Sequence, residues 1–280
     1  MAWRHTLALA LLWLVAPSSL AADKAPAELV LVRQGGLPIV LAAPHGGREA
    51  IPGVEPRQDR ANVTAYRIWG GFQRSTDGNT DVLAQGIAAE IAKLTGKAPY
   101  LVVAKFQRRY IDANRPPELA FDSSDARPYY ERYHHSIRGF VDEIRAAYPA
   151  GLLIDVHGQD KDPEVVMRGT INGRTVERLL RRAGVKAVTG PDGIFGALEA
   201  NGFKVFPGNN VPPRGRSEDG GFNGGYTVSF YGSENRLGID AVQMEFGSRY
   251  RAKAALDQTI RDAAKAIVAF HDAYLKPANQ

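Results

Sequence analysis

The chain has 280 residues, 44% hydrophobic and 23% charged, with 29 glycines and no cysteine. These figures exclude disorder, a collagen-like fibre, a disulfide-stapled scaffold and any cysteine-ligated zinc or iron–sulfur centre. The 35 Lys and Arg exceed the 30 Asp and Glu by five; both signs are interspersed and no basic run alternates with aromatics, so nucleic acid is not an expected partner.

In chain order, Arg4 and His5 precede an apolar stretch, Thr6–Ala16, and a small-x-small pattern at Ser19-Leu20-Ala21. This predicts a secretory signal peptide over residues 1–22, too short in its apolar part to span a bilayer. Residues 23–280 are then expected to form one extracytoplasmic domain, periplasmic or secreted, with no membrane contact after cleavage. Leu29–Val32 and Pro38–Ala43 predict two strands joined by a hairpin-like turn at Gly35-Gly36. The second strand runs into Pro44-His45-Gly46-Gly47, and residues 48–76 read as a long loop with a helical piece.

Val82, Leu83, Ile87, Ile91 and Leu94 recur at helical spacing and predict a helix over Thr80–Leu94, stopped by Gly96. Tyr100–Lys105 predicts a buried strand and Pro128–Tyr148 a second amphipathic helix. Leu152–Val156 predicts another strand, closed by His157-Gly158, and Arg174–Ala183 a helix. Residues 208–225 form a Gly-, Asn- and Pro-rich loop, long enough to be functional or mobile. Strands near Tyr226–Phe230 and Ala241–Phe246 and a helix from Arg251 to Tyr274 complete the chain. The alternation predicts a single α/β domain.

The chain has no G-x-S-x-G elbow, no G-x-x-x-x-G-K-S/T phosphate loop and no thiol nucleophile. Its histidines carry more information. His271 lies in the last helix, and His134 and His135, being adjacent in a helix, face different ways. His45 and His157 differ: each follows an apolar strand, PIVLAA and LLIDV, and each precedes a glycine that leaves room beside it. Open α/β sheets gather their sites at the carboxyl ends of strands, so this pair suits a metal centre.

A catalytic zinc takes three protein ligands, and without cysteine the third here must be a carboxylate. Asp77 stands just before the helix at Thr80, where it would also serve as an N-cap. Asp81 suits the helix dipole, and Glu49 and Asp155 are further candidates. Asp155 shares a strand face with His157 and could orient it. Arg108, Arg109 and Arg115, together with Asp112 and Asn114, form a polar cluster after the strand at Tyr100. Such a cluster suits a substrate carboxylate or a surface ion-pair loop. Glu245 is a lone acid in the apolar strand Val242–Gly247, and so a candidate general base.

Five segments in order, PHGG at 44–47, TDGNTDVLA at 76–84, RRYIDANRP at 108–116, LIDVHG at 153–158 and QMEFG at 243–247, resemble the N-formylglutamate amidohydrolase family, which is related to the zinc carboxypeptidases. The resemblance implies a phosphorylase/hydrolase-like α/β fold with a mixed central sheet flanked by helices, and one zinc ion on His45, Asp77 and His157. It implies Glu245 as general base, an Asn114-Arg115 pair for a substrate carboxylate, and a functional Arg108; Arg109, from the same cluster, is expected to contact the substrate beside it. The carboxypeptidase pattern H-x-x-E would put Glu at position 48, where this chain has Arg48.

The activity expected from these residues is zinc-dependent hydrolysis of an amide in a carboxylate-bearing N-acyl amino acid or peptide. The export signal equally suits a secreted carboxypeptidase, a γ-glutamyl hydrolase or a cell-wall peptide hydrolase. An exported binding protein for anionic ligands is the non-catalytic rival.

Overall fold

The computed structural model describes residues 25–59 and 65–276; the expected signal peptide lies outside them. No described helix is long and apolar enough to cross a membrane. Seven strands form one mixed sheet: β1 (Val30–Arg33), β2 (Ile39–Ala43), β3 (Tyr100–Ala104), β4 (Leu152–Gln159), β5 (Val166–Gly169), β6 (Val205–Phe206) and β7 (Asp240–Gly247), in the order β1-β3-β2-β4-β7-β5-β6. β3, β2, β4 and β7 are parallel neighbours, while β1 and β5 pair antiparallel with β3 and β7.

β2 and β3 are buried at every position, as unbroken apolar runs should be in strands covered on both faces. The helices are α1 (Thr80–Thr95), α2 (Arg127–Ala147), α3 (Glu177–Ala183), α4 (Ile194–Ala200), α5 (Tyr226–Tyr231) and α6 (Leu256–Tyr274), with shorter helical turns between them. Leu83, Ile87 and Ile91 of α1 join Ala263, Ile267 and Phe270 of α6 over one face of the sheet. Tyr133, Ile137 and Ile144 of α2 cover the other. Fully burying one such aliphatic side chain contributes about 1.5–3 kcal/mol.

β1 and β2 are not a hairpin. β3 lies between them, antiparallel to one and parallel to the other, because the Gly35-Gly36 turn is tied to Ala98 through the Gly36 N–H. Residues 226–231 are helical, with Thr227, Val228 and Tyr231 buried on one side. The C-terminal helix is broken into a turn, Ser248–Arg251, and α6. β4 continues through His157 to Gln159 rather than stopping at Val156.

β2 has β3 on one side and β4 on the other, although chain order is β2, β3, β4. The chain leaves β2 to β3 on one side and then crosses back over β2 to β4 on the other, which opens a crevice at the carboxyl ends of β2 and β4.

Candidate active site

Alternation along β4 and β7 builds the floor of this crevice. Ile154, Val156, Val242 and Met244 point into the core under α1 and α6. Leu153 and Ala241 point to the α2 face. Two and four residues on, that face becomes Asp155 and His157 on β4, and Gln243 and Glu245 on β7. The register sets Asp155 opposite Gln243 and His157 opposite Glu245, one strand spacing of about 4.8 Å apart.

His45 arrives from β2 after Pro44, and its carbonyl accepts the Asp77 N–H at 3.0 Å. The backbone therefore fixes the Asp77 segment to the His45 segment. One ligand atom each from His45, Asp77 and His157 lies within 4.8 Å of the other two, and all three residues are buried. Asp77 does not cap α1: Asn79 holds that position, in a left-handed conformation with φ 66° and no side-chain cap. Glu49 is bound to Lys105 at 3.3 Å, and neither it nor Asp81 belongs to the cluster.

Each histidine is held from behind by a carboxylate. His45 Nε2 is 2.7 Å from Asp112 Oδ1, and His157 Nε2 is 2.8 Å from Asp155 Oδ2. Both Nδ1 atoms face Asp77 Oδ2, at 3.4 Å from His45 and 3.2 Å from His157. His45 Nδ1 is buried without a hydrogen-bond partner. A buried imidazole nitrogen with no partner, a carboxylate beside it and a second imidazole turned to the same point fit a zinc ion, whose ligand histidines are oriented by outer carboxylates.

Electrostatics agree. Burial opposes charge on His157, but Asp155 and Asp77 outweigh it and hold its pKa well above the ordinary imidazole range. Burial would raise Asp77, yet His45 and His157 hold it well below the usual carboxylate range. A place that draws a proton this strongly also draws a cation, and the two compete for the same nitrogen. Glu245 behaves oppositely: burial pushes it up to about 7, His157 and Arg108 acting against the rise and Asp77 with it. Its Oε1 accepts from Gln243 Nε2 at 2.9 Å.

A cavity of about 340 Å³ opens beside the cluster, lined by Asp77, Arg108, Asn114, Arg115, Gln243 and Glu245 among others. Arg108 donates through Nε to Asp112 at 3.0 Å and reaches Asp77 at 3.6 Å. Arg115 gives Nη1 to the Asn114 carbonyl and Nη2 to the Gly71 carbonyl, two of its five N–H groups. Asn114 is held by the Thr227 N–H at 2.8 Å. Arg109 is the exception: it is exposed, lies over the Tyr110 ring and does not line the cavity.

Three supporting residues have weak signals in the sequence. Asp112 sits in a segment that reads as an arginine-rich loop, yet it is fully buried. Arg57, also buried, donates to the Arg108 and Gln73 carbonyls. Arg251 donates to the carbonyls of Phe246, Gly78 and Gln159, tying the ends of β7 and β4 to the loop that carries Asp77. Arg48, standing where the carboxypeptidase pattern has an acid, bonds Asn79 at 3.0 Å and braces that loop as well.

The space beside the two glycines is filled by protein. A Cβ on Gly46 would stand 2.3 Å from the Asp81 nitrogen, and one on Gly158 2.5 Å from the Arg251 guanidinium.

A mixed sheet flanked by helices, with a buried His–Asp–His group at the carboxyl ends of its central strands, defines an α/β fold with a candidate metal centre. The fold is shared with N-formylglutamate amidohydrolase from Ralstonia eutropha JMP134, at TM-score 0.59 and 15% identity, over 88% of this chain and 97% of that one. A gene product of Agrobacterium tumefaciens is similar at TM-score 0.52 and 15% identity, over 88% and 96%. The resemblance carried by the sequence motifs thus holds at the level of the fold. No protein-family model and no curated protein sequence matches the chain.

Proposed function

We propose that this protein is a metal-dependent hydrolase that cleaves an amide bond in a small N-acyl amino acid or peptide bearing a free carboxylate. The observation that carries the reading is the convergence of His45, Asp77 and His157 on one buried point, with the His45 Nδ1 unpartnered, beside a cavity that Glu245 lines. His45, Asp77 and His157 would hold the ion, taken as zinc. When bound, such an ion polarises a carbonyl and makes water a nucleophile near neutral pH.

The protein's own groups do the rest. Glu245, with its pKa near 7, takes a proton from the attacking water and passes it to the leaving nitrogen. Arg108 donates to the carbonyl oxygen as negative charge builds there. Arg115, oriented by its two backbone carbonyls, holds the substrate carboxylate, and Asn114 shapes the wall between Arg115 and His157. Asp112 and Asp155 hold the two imidazoles in the tautomer that leaves Nδ1 free to ligate.

The solved N-formylglutamate amidohydrolase supports the amide-bond reading through its fold. The segment over residues 1–22 supports action outside the cytoplasm, where peptides and cell-wall fragments are the available amides. The test is hydrolysis of a panel of N-acyl amino acids and short peptides, lost on chelation and restored by zinc. Failure of every member of the panel, with zinc bound, would refute the reading.

A further inference from the structure

The mouth of the cavity is chemically unlike its floor. Ile68 is 77% exposed and Phe222 44% exposed, and both line the cavity. Trp69 lines it next to Ile68 and meets Tyr226 edge-on, with ring centroids 5.6 Å apart. Tyr226 stacks on Phe230 at 5.3 Å, and Phe230 is itself 45% exposed. The apolar lining groups Ile68, Trp69 and Phe222 come from two separate segments, one after β2 and one before α5, and gather at one opening. Large apolar side chains left in water around a polar cavity mark a surface that meets a ligand.

The cations of the cavity point the same way. Among the described residues, Arg108, Arg115 and Arg251 are the ones that line it. Arg251 is committed to three backbone carbonyls and to Asp160 at 2.8 Å, and Arg108 to Asp112, to Asp77 and, in the proposed reaction, to the scissile carbonyl. Arg115 can meet one carboxylate. Its Nη2 is bonded to the carbonyl of Gly71, two residues beyond Trp69, which sets the guanidinium beside the segment that carries Ile68 and Trp69. A second carboxylate on the bound residue, set against Ile68 and Trp69, would cover apolar surface without gaining from it, and among the described lining residues no cation is left for it, which discriminates against it.

Resting on the amide-hydrolase reading above, we infer that the carboxylate-bearing residue of the substrate has a bulky apolar or aromatic side chain that packs on Ile68 and Trp69. The substrate class is N-acyl or peptidyl leucine- and phenylalanine-like acids, and compact dicarboxylates are poor ligands.

The chain contains tryptophan only at positions 3, 13 and 69. In the full chain with Trp3→Phe and Trp13→Phe, Trp69 is the single emitter at the cavity mouth. The zinc-supplemented protein is titrated with N-acetyl-leucine, N-acetyl-phenylalanine, N-acetyl-aspartate and N-acetyl-glutamate, and Trp69 emission is followed. The expected result is tighter binding of the apolar pair by about tenfold or more. Ile68→Ser, a change at an exposed position checked for fold by circular dichroism, is expected to shrink that ratio at least about threefold.

Equal or tighter binding of the acidic pair overturns the inference, as does a ratio that Ile68→Ser leaves unmoved, or an emission that no ligand alters. Turnover of the same four compounds is scored separately. Apolar-selective binding without turnover retires the hydrolase reading and keeps this inference. Turnover with acidic preference does the reverse.

Discussion

Asp112 and His45 are 67 residues apart in sequence, yet Asp112 Oδ1 sits 2.7 Å from His45 Nε2 in a fully buried contact. The pair decides which imidazole nitrogen is available: with Nε2–H donated to Asp112, the Nδ1 lone pair turns to Asp77. Burial alone would raise Asp112, but Arg108, His45 and Arg115 keep it well below the usual carboxylate range, so it stays an acceptor. Asp112→Asn keeps the shape and removes the charge. Zinc affinity measured by competition with a chromogenic chelator is expected to fall about 10–100-fold; an unchanged affinity would show that Asp112 does not orient a ligand.

Glu245 must be ionised to act as a base. With burial pushing its pKa up to about 7, the active fraction increases with pH through that region and drops about tenfold per unit below it. A bound cation favours the ionised form, so the rising limb lies at or below about pH 7. Glu245→Gln is expected to lower kcat about 10²–10⁴-fold and to abolish the limb, while zinc still binds. A variant with near-normal kcat and the same pH profile would remove Glu245 from the chemistry.

His134 carries a separate acid sensitivity. It is buried between the Ala113 carbonyl and the Tyr231 hydroxyl, each 3.0 Å away, and burial pushes its pKa down to about 4. The unfolded chain, with an ordinary imidazole near 6.5, binds more protons between those values. The stability that neutral His134 contributes is therefore intact above about pH 6.5 and is lost as pH falls toward 4, by roughly 1–3 kcal/mol. Urea unfolding at pH 7 and pH 4.5 should show a smaller loss for His134→Gln than for the unaltered protein. Equal losses would exclude this residue as the cause.

The long segment 208–225 is anchored at Glu218, which is wholly buried. Glu218 accepts from Arg168 Nε at 2.8 Å, Thr170 Oγ1 at 2.7 Å, and the N–H groups of Thr170 and Asn172 at 2.8 and 2.9 Å. It holds a turn in which Ile171 and Asn172 both have positive φ, a conformation a β-branched residue rarely adopts. Glu218→Ala leaves a buried arginine and two backbone N–H groups unpaired, and should cost about 3–5 kcal/mol in a thermal or chemical melt. A loss under 1 kcal/mol would mean that the segment is held elsewhere.

The apolar runs of β2, β3 and β4 and the 3.6-residue period of α1 show in the sequence because burial on both sheet faces, or on one helix face, leaves a pattern. His45 and His157 show because each follows such an apolar run. What does not show depends on distant partners. Gly35-Gly36 has the chemistry of a hairpin turn, but β3 arrives some 65 residues later to separate the strands. Tyr-Thr-Val-Ser-Phe at 226–230 has strand propensity, and tertiary packing of Val228 and Tyr231 makes it a helix. β5 contains Arg168, which is tolerable in a sheet interior only because Glu218 meets it. Asp112 and Arg251 look like surface charges until the fold buries them, whereas Arg109, from the same run as Arg108, stays outside.

Whether His45, Asp77 and His157 hold a metal is tested, without reference to any substrate, by calorimetric titration of the metal-stripped full chain with zinc. One ion per chain is expected, with affinity falling more than about 100-fold in His45→Ala and in His157→Ala. A chain that takes up no zinc, or a His45→Ala/His157→Ala double variant that binds it as tightly as the unaltered protein, would mean that these residues hold no metal.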